Sequence, residues 1–243
     1  ALKAMWPQGL APQTRHWLAN HIVTGQLKGG TFSVTNQRTR TGAMRDAAPS
    51  GDREIALDLE VENIGIEYLK GLPPLEARQA RLSIDGTTAT FSLPVAAIRA
   101  PEAGHLQIQD ASLVVSGVDQ ARPLARVDGR VTGPAAAIIS LLSREPLALL
   151  RNTALDGSGF DGKLDVRFAT SFPIHDGLSI HDVQIIEAKA SILEGQARKV
   201  MGRYTISGGS IKAEARENVI DVTGEALLEG VLTRVSWRHA LAA

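Results

Sequence analysis

One strand pattern occurs three times along this chain, and each time the buried face changes side halfway. Leu59-x-Val61-x-Asn63-Ile64-x-Ile66, Leu106-x-Ile108-x-Asp110-Ala111-x-Leu113 and Leu178-x-Ile180-x-Asp182-Val183-x-Ile185 place apolar residues at alternate positions, reach an Asn or Asp, and resume one residue out of step. Side chains alternate faces along a strand, so such a slip turns the apolar set outward unless the backbone bulges or bends there. Asn and Asp tolerate that backbone. The pattern predicts sheet bends at Asn63, Asp110 and Asp182. The spacings are unequal, 47 residues and then 72. They read as a degenerate repeat with insertions, in a long, curved antiparallel sheet.

The remaining sequence fits a mainly β fold with two or three short helices, read as one domain over 1–243. An entry helix is predicted over 11–25, where Trp17, Leu18, His21 and Ile22 recur at helical spacing between Pro12 and Gly25. A β run at 31–34 follows. The polar segment 35–53, with Arg38, Arg40, Arg45 and Pro49, predicts a hairpin and then a mobile loop. Strands are predicted at 55–62, 64–69, 76–84, 87–93, 95–99, 105–109, 111–116 and 124–131, with Asp85-Gly86 as a hairpin turn. Pro73-Pro74, Pro94 and Pro101 fall between these runs. Gly133-Pro134 opens a lid or plug helix over 134–152, interrupted by Pro146, whose Ile138, Ile139, Leu141 and Leu142 cover most of its circumference and call for burial. Further strands are predicted at 162–169, 178–187, 189–194, 200–206, 209–215, 218–224 and 226–237.

Composition removes several classes of function. Basic and acidic residues balance at 26 each, leaving no electrostatic footprint for nucleic acid or an anionic membrane. With aromatic residues at 4%, stacking platforms for bases or sugars are scarce. No cysteine is present, so there is neither a disulfide frame nor thiolate chemistry. The most apolar stretch, 135–142, is far short of the roughly 20 residues that cross a bilayer. Without an initiator Met or a secretory signal, the chain reads as a piece of a longer protein whose targeting or anchoring segment lies outside it.

Chemical motifs are few. Gly157, Gly159 and Gly162 satisfy G-x-G-x-x-G, but the next segment alternates as a strand and opens no helix, so no phosphate cradle is expected. A calcium loop starting at Asp156 would put Phe160 where an oxygen ligand belongs. His175, Asp176, His181 and Asp182 form the only polar knot resembling an acid/base or metal cluster, and its position on a bend favours a capping role. His16 and His21 are poorly spaced for one metal. No nucleophile elbow occurs, and the carboxylates lie singly in alternating strands. The reading is of a protein that is not an enzyme, with no cofactor, metal or nucleic-acid partner.

Several segments resemble the AsmA-like bacterial proteins in their YhdP branch. They are Trp6-Pro7, then Pro12-x-x-Arg15-x-Trp17-Leu18-x-Asn20-x-Ile22-x-x-Gly25, and Asn63-x-x-Ile66-x-Tyr68-Leu69-x-Gly71-Leu72-Pro73-Pro74-Leu75. The Asp85-Gly86 hairpin, the Gly133-Pro134 helix reaching Pro146-Leu147, and Gly162 continue the resemblance to about residue 175. It implies a periplasmic protein, anchored in the inner membrane through a segment outside this chain. It also implies a sheet folded into a gutter, the β-taco, that moves phospholipids between inner and outer membranes.

On that reading the apolar strand residues Leu57, Leu59, Val61, Leu82, Ile84, Phe91, Leu106, Ile108, Leu113, Val115, Leu164, Val166, Phe168, Ile180 and Ile185 form a lipid groove or a core, which periodicity alone does not separate. Burying a methylene contributes about 0.8 kcal/mol, so acyl chains crossing water need a continuous aliphatic cover and no reaction centre. The alternatives are an envelope scaffold with a filled β core, and a polysaccharide-binding β protein.

Overall fold

Long runs in which every second residue is aliphatic fold here as one sheet whose strands follow each other in space as they do in sequence. The computed structural model describes residues 20–36, 53–100, 104–148, 159–175, 182–200, 204–217 and 219–240. Its strands are β1 (Ile22–Asn36), β2 (Arg53–Ile66), β3 (Leu75–Asp85), β4 (Thr88–Ala100), β5 (Gly104–Ser116), β6 (Leu124–Pro134), β7 (Phe160–Pro173), β8 (Gln184–Val200), β9 (Tyr204–Arg216), β10 (Val219–Leu228) and β11 (Val231–Ala240). Every neighbouring pair is antiparallel and the order is sequential from β1 to β11. Sequential hairpins need only short connections and bury one face of the sheet at a time.

The strands are longer and fewer than the sequence suggests. The pairs 55–62 with 64–69, 87–93 with 95–99, and 105–109 with 111–116 are the single strands β2, β4 and β5. Pro94 lies inside β4 instead of at a break. It is tolerated because the β3–β4 pairing passes from Ala77↔Ala96 to Arg81↔Ser92, so no ladder partner is asked of it. The segments 178–187 and 189–194 are replaced by β8, which begins only at Gln184, and the break expected at residue 225 falls instead at Glu229–Gly230. Both of those turn residues have positive φ, +49° and +83°, which suits a two-residue hairpin turn.

One helix is complete among the described residues, where two or three were expected. It is α1 (Ala135–Ser143), shorter than the predicted 134–152, because Pro146 denies the preceding residues helical geometry. Of the predicted entry helix 11–25, Asn20 and His21 are helical, whereas 22–25 already belong to β1, held by pairing with Ile66 and Gly65. Residues 11–19, the segment 37–52 and residues 149–152 of the predicted lid helix lie outside the described residues, while 144–148 are described and are not helical. No described helix is long and apolar enough to cross a membrane.

The core sits on one face of β2 to β6. Leu57, Leu59, Val61, Ile64, Ile66, Leu82, Ile84, Phe91, Leu93, Ile98, Leu106, Ile108 and Val115 form one buried cluster. Ala137 and Ile138 of α1 join it, and Leu141 and Leu142 pack at its margin. The helix lies on β5, β6 and β7. The opposite face carries cross-strand ion pairs, among them Asp58–Arg81, Glu76–Arg99 and Arg130–Asp165.

Candidate functional site

A three-residue step organises the apolar face. In β2 the buried positions run Leu57, Leu59, Val61 and then Ile64, Ile66, so Glu62 and Asn63 both turn away from the core. The same step occurs in β3 between Ala77 and Ala80, and in β4 between Leu93 and Ala96. In β5 it separates Ile108 from Ala111. Register places these steps side by side, since Ile64 pairs with Ala77, Ala77 with Ala96, and Ala96 with Ile108. A row with one extra outward residue per strand therefore crosses four strands.

Bulges stand at both flanks of that row. On the β1 side Asn63 and Ile64 together oppose the single Gly25. On the β6 side Asp110 and Ala111 together oppose the single Gly129. Asn63 and Asp110 each have φ of +51°, the left-handed conformation that Asn and Asp adopt more readily than other non-glycine residues. A Cβ on Gly129 would sit 3.3 Å from the Ala111 Cα, which accounts for glycine opposite that bulge. Asp182 does not belong to this row. It occupies a short 3₁₀ turn ahead of β8, and residues 176–181 lie outside the described part.

Beyond β6 the apolar face continues but is only half covered. Three rows cross five strands: Leu164–Ile192–Ile211–Gly224–Val235, Val166–Ala190–Ala213–Val222–Trp237, and Phe168–Ala188–Ala215–Ile220–His239. Most of these residues are half-buried, while the residues between them, such as Lys212, Glu214, Asp221, Thr223 and Arg238, are exposed. Trp237 and His239 stack at 5.2 Å between ring centroids. In the second and third rows the alanines of β8 and β9 lie between larger residues, whereas the first row has Ile192 and Ile211 in its middle. Chemically this is a mainly aliphatic surface with the Trp237 and His239 rings at its β11 margin.

The predicted site residues divide between the two regions. Leu57, Leu59, Val61, Leu82, Ile84, Phe91, Leu106, Ile108 and Val115 lie in the closed cluster, with Leu113 at its margin. Leu164, Val166 and Phe168 head the three half-covered rows, and Ile185 is half-buried in β8. Ile180 is outside the described residues. The sequence reading places strands but no groove residue in β9 to β11, although Ile211-x-Ala213-x-Ala215 and Ile220-x-Val222-x-Gly224-x-Ala226-x-Leu228 alternate as strictly as any earlier strand. In the polar knot, His175 Nε2 lies 3.7 Å from Asp182 Oδ2, a polar contact between the segment after β7 and the segment before β8. Asp176 and His181 are not described, and no metal-ligand group occurs among the described residues.

On the outward face, the Arg81 guanidinium donates to both oxygens of Asp58, at 3.0 and 3.1 Å from Nε, and holds that carboxyl below its ordinary range. Arg130 does the same to Asp165, its Nε 2.8 Å from Oδ1. Lys189 and Arg216 lower Glu187. Acids that bind protons more weakly when folded contribute stability above the unfolded-chain pKa, and that contribution disappears as pH falls through the folded value. Urea midpoints are therefore expected to hold from neutrality to about pH 5 and to fall below about pH 4. Arg130→Met should flatten that fall; an unchanged acid limb in the variant would contradict the assignment. The effect is small, because these carboxylates are about one-third exposed.

A family model described as "YhdP protein" matches residues 2–195 of the chain. The match takes in β1 to β7 and most of β8, and β9 to β11 lie beyond its end. No curated protein and no solved structure matches.

Proposed function

The chain belongs to the YhdP family, and from that premise we propose that it is a non-catalytic part of a periplasmic lipid-transfer protein, anchored in the inner membrane through a segment outside it. Its task is to shield phospholipid acyl chains from water on their way between the inner and outer membranes. The observation that carries this reading is the half-covered aliphatic face of β7 to β11, continuous with a closed core and backed by a charged outer face. An acyl chain needs an apolar surface that neither ends abruptly nor offers a buried polar group, since each unpaired polar group in hydrocarbon costs several kcal/mol. The three rows supply such a surface from β7 to β10, with the Trp237 and His239 rings at its β11 margin.

In this proposal the step row through β2 to β5 is a crease. Bulges bend strands and increase twist, so aligned steps flanked by two bulges would curl the sheet toward a gutter. The closed half then serves as the spine, with α1 as its plug, and the open half as the lipid wall. The filled core of β2 to β6 favours a supporting role for that half.

Uptake of a fluorescent phospholipid by the purified chain, together with native mass spectrometry, tests the reading. The wild type is expected to retain lipid. Val222→Asp, which puts a charge in the middle row, is expected to lower uptake at least tenfold while circular dichroism remains unchanged. Lipid-free wild-type protein with no uptake would count against the reading, as would full uptake by the variant.

A further inference from the structure

Along β10 and β11 the outward face is polar between the far pair, Val219 with Ala240, and the last pair before the turn. Asp221 opposes Arg238, Thr223 opposes Ser236 and Glu225 opposes Arg234, and then Leu227 opposes Leu232. At that level the inward pair is Leu228 with Val231, so the hairpin tip is aliphatic on both faces. Val231 and Leu232 are 67% and 70% exposed. The turn contains one charged residue, Glu229, and its carboxylate is folded back to accept from the backbone N–H of Thr205 at 2.6 Å. The Glu229 N–H in turn donates to the Thr205 carbonyl at 3.0 Å. The tip thus presents four aliphatic side chains beside one exposed, tied-back carboxylate, and its hairpin pairing is complete to the turn.

We propose that this tip is a bilayer-contacting element, which enters the interfacial region of a phospholipid membrane. Strand alternation puts hydrocarbon on one face only, so hydrocarbon on both faces beside the turn fits a medium that is apolar on all sides. A specific protein interface engages about 20–30 residues a side, and four aliphatic side chains fall far short of that. A bilayer takes a small apolar tip without a matching pocket. The Glu229 carboxylate keeps its charge, but its tie to the Thr205 N–H holds it to the β9 side of the tip, and the opposed Glu225 and Arg234 stand two residues above as a polar collar. Tyr204, opening β9 beside the turn, is of the residue type that settles at the membrane–water boundary.

The test is flotation of the whole chain with vesicles of phosphatidylethanolamine and phosphatidylglycerol, compared with the Leu227→Asp/Leu232→Asp double variant. Wild-type protein should float, and the double variant should bind at least fivefold less while keeping its circular dichroism spectrum. Because the chain lacks cysteine, a polarity-sensitive dye on Leu232→Cys reports the tip directly. It should shift to the blue with vesicles, and the same dye on Thr223→Cys should not. Wild-type protein that stays in solution, or a dye at 232 indifferent to vesicles, overturns the proposal. So does a wild-type oligomer that the double variant dissolves without change in flotation, which would make the tip a protein contact. Uptake of monomeric fluorescent phospholipid should survive in the double variant, since neither leucine lies on the half-covered face, so failure here is separable from failure of the lipid-carrying reading.

Discussion

Leu106→Ala will lower the stability of the folded chain by about 2–5 kcal/mol, the cost of a large-to-small change in a core that cannot collapse around it. Leu106 is fully buried, pairs with Ile98 across β4 and β5, and lies against Gly133, where a Cβ would come within 2.6 Å of its Cδ2. Glycine in β6 is therefore the other half of this contact, and the residue filling the space is leucine. Leu106→Met should cost less than about 1.5 kcal/mol, because volume is nearly kept. Val222→Ala, on the half-covered face, should cost much less than Leu106→Ala, since its side chain makes fewer contacts to lose. Urea denaturation followed by circular dichroism measures all three. Similar losses at Leu106 and Val222 would remove the distinction between a closed and an open half.

The second large effect concerns the two bulges. Asn63→Val and Asp110→Val should each destabilise by about 1–3 kcal/mol, because a β-branched residue at φ of +51° meets its own backbone. Asn63→Gly and Asp110→Gly should stay within about 1 kcal/mol of wild type, because glycine enters that region freely and its cost lies in the unfolded chain. The contrast separates backbone conformation from side-chain bonding. A valine tolerated at either position would mean that the bulge there is dispensable, and with it the alignment of steps through β2 to β5.

Much of this architecture is legible in the order of residues, and what is not has identifiable causes. Aliphatic alternation marks the mainly β character, and Asp85-Gly86 marks its hairpin, because both depend on neighbours in sequence. The step is readable at Asn63 and Asp110 because the residue type there matches its backbone. In β3 and β4 the same step passes through Arg78-Gln79 and Pro94-Val95, which carry no such signature. Their phase is imposed by pairing with β2 and β5. Strand ends depend on neighbours in the same way: Pro94 reads as a break until a neighbouring strand asks nothing of its missing N–H. Ile22–Gly25 reads as a helix end until β2 captures it. Asp182 matches the pattern of residues but not the structure, because a bulge needs a paired partner strand, and Asp182 precedes the point at which β8 begins to pair. The division of the apolar residues into closed and half-covered regions is absent from local sequence altogether. It depends on what lies over each row, not on the row itself.

The central claim is that acyl chains lie on one defined face of one defined half of the sheet. The absence of cysteine allows single-site photo-crosslinkers to be placed cleanly, and lipid capture at each site measures contact directly. The account predicts phospholipid adducts from Ala213, Val222 and Val235 on the half-covered rows, and none from Thr223 on the outward face or Phe91 in the closed core. Equal labelling of Val222 and Thr223, or labelling confined to Phe91, would contradict it.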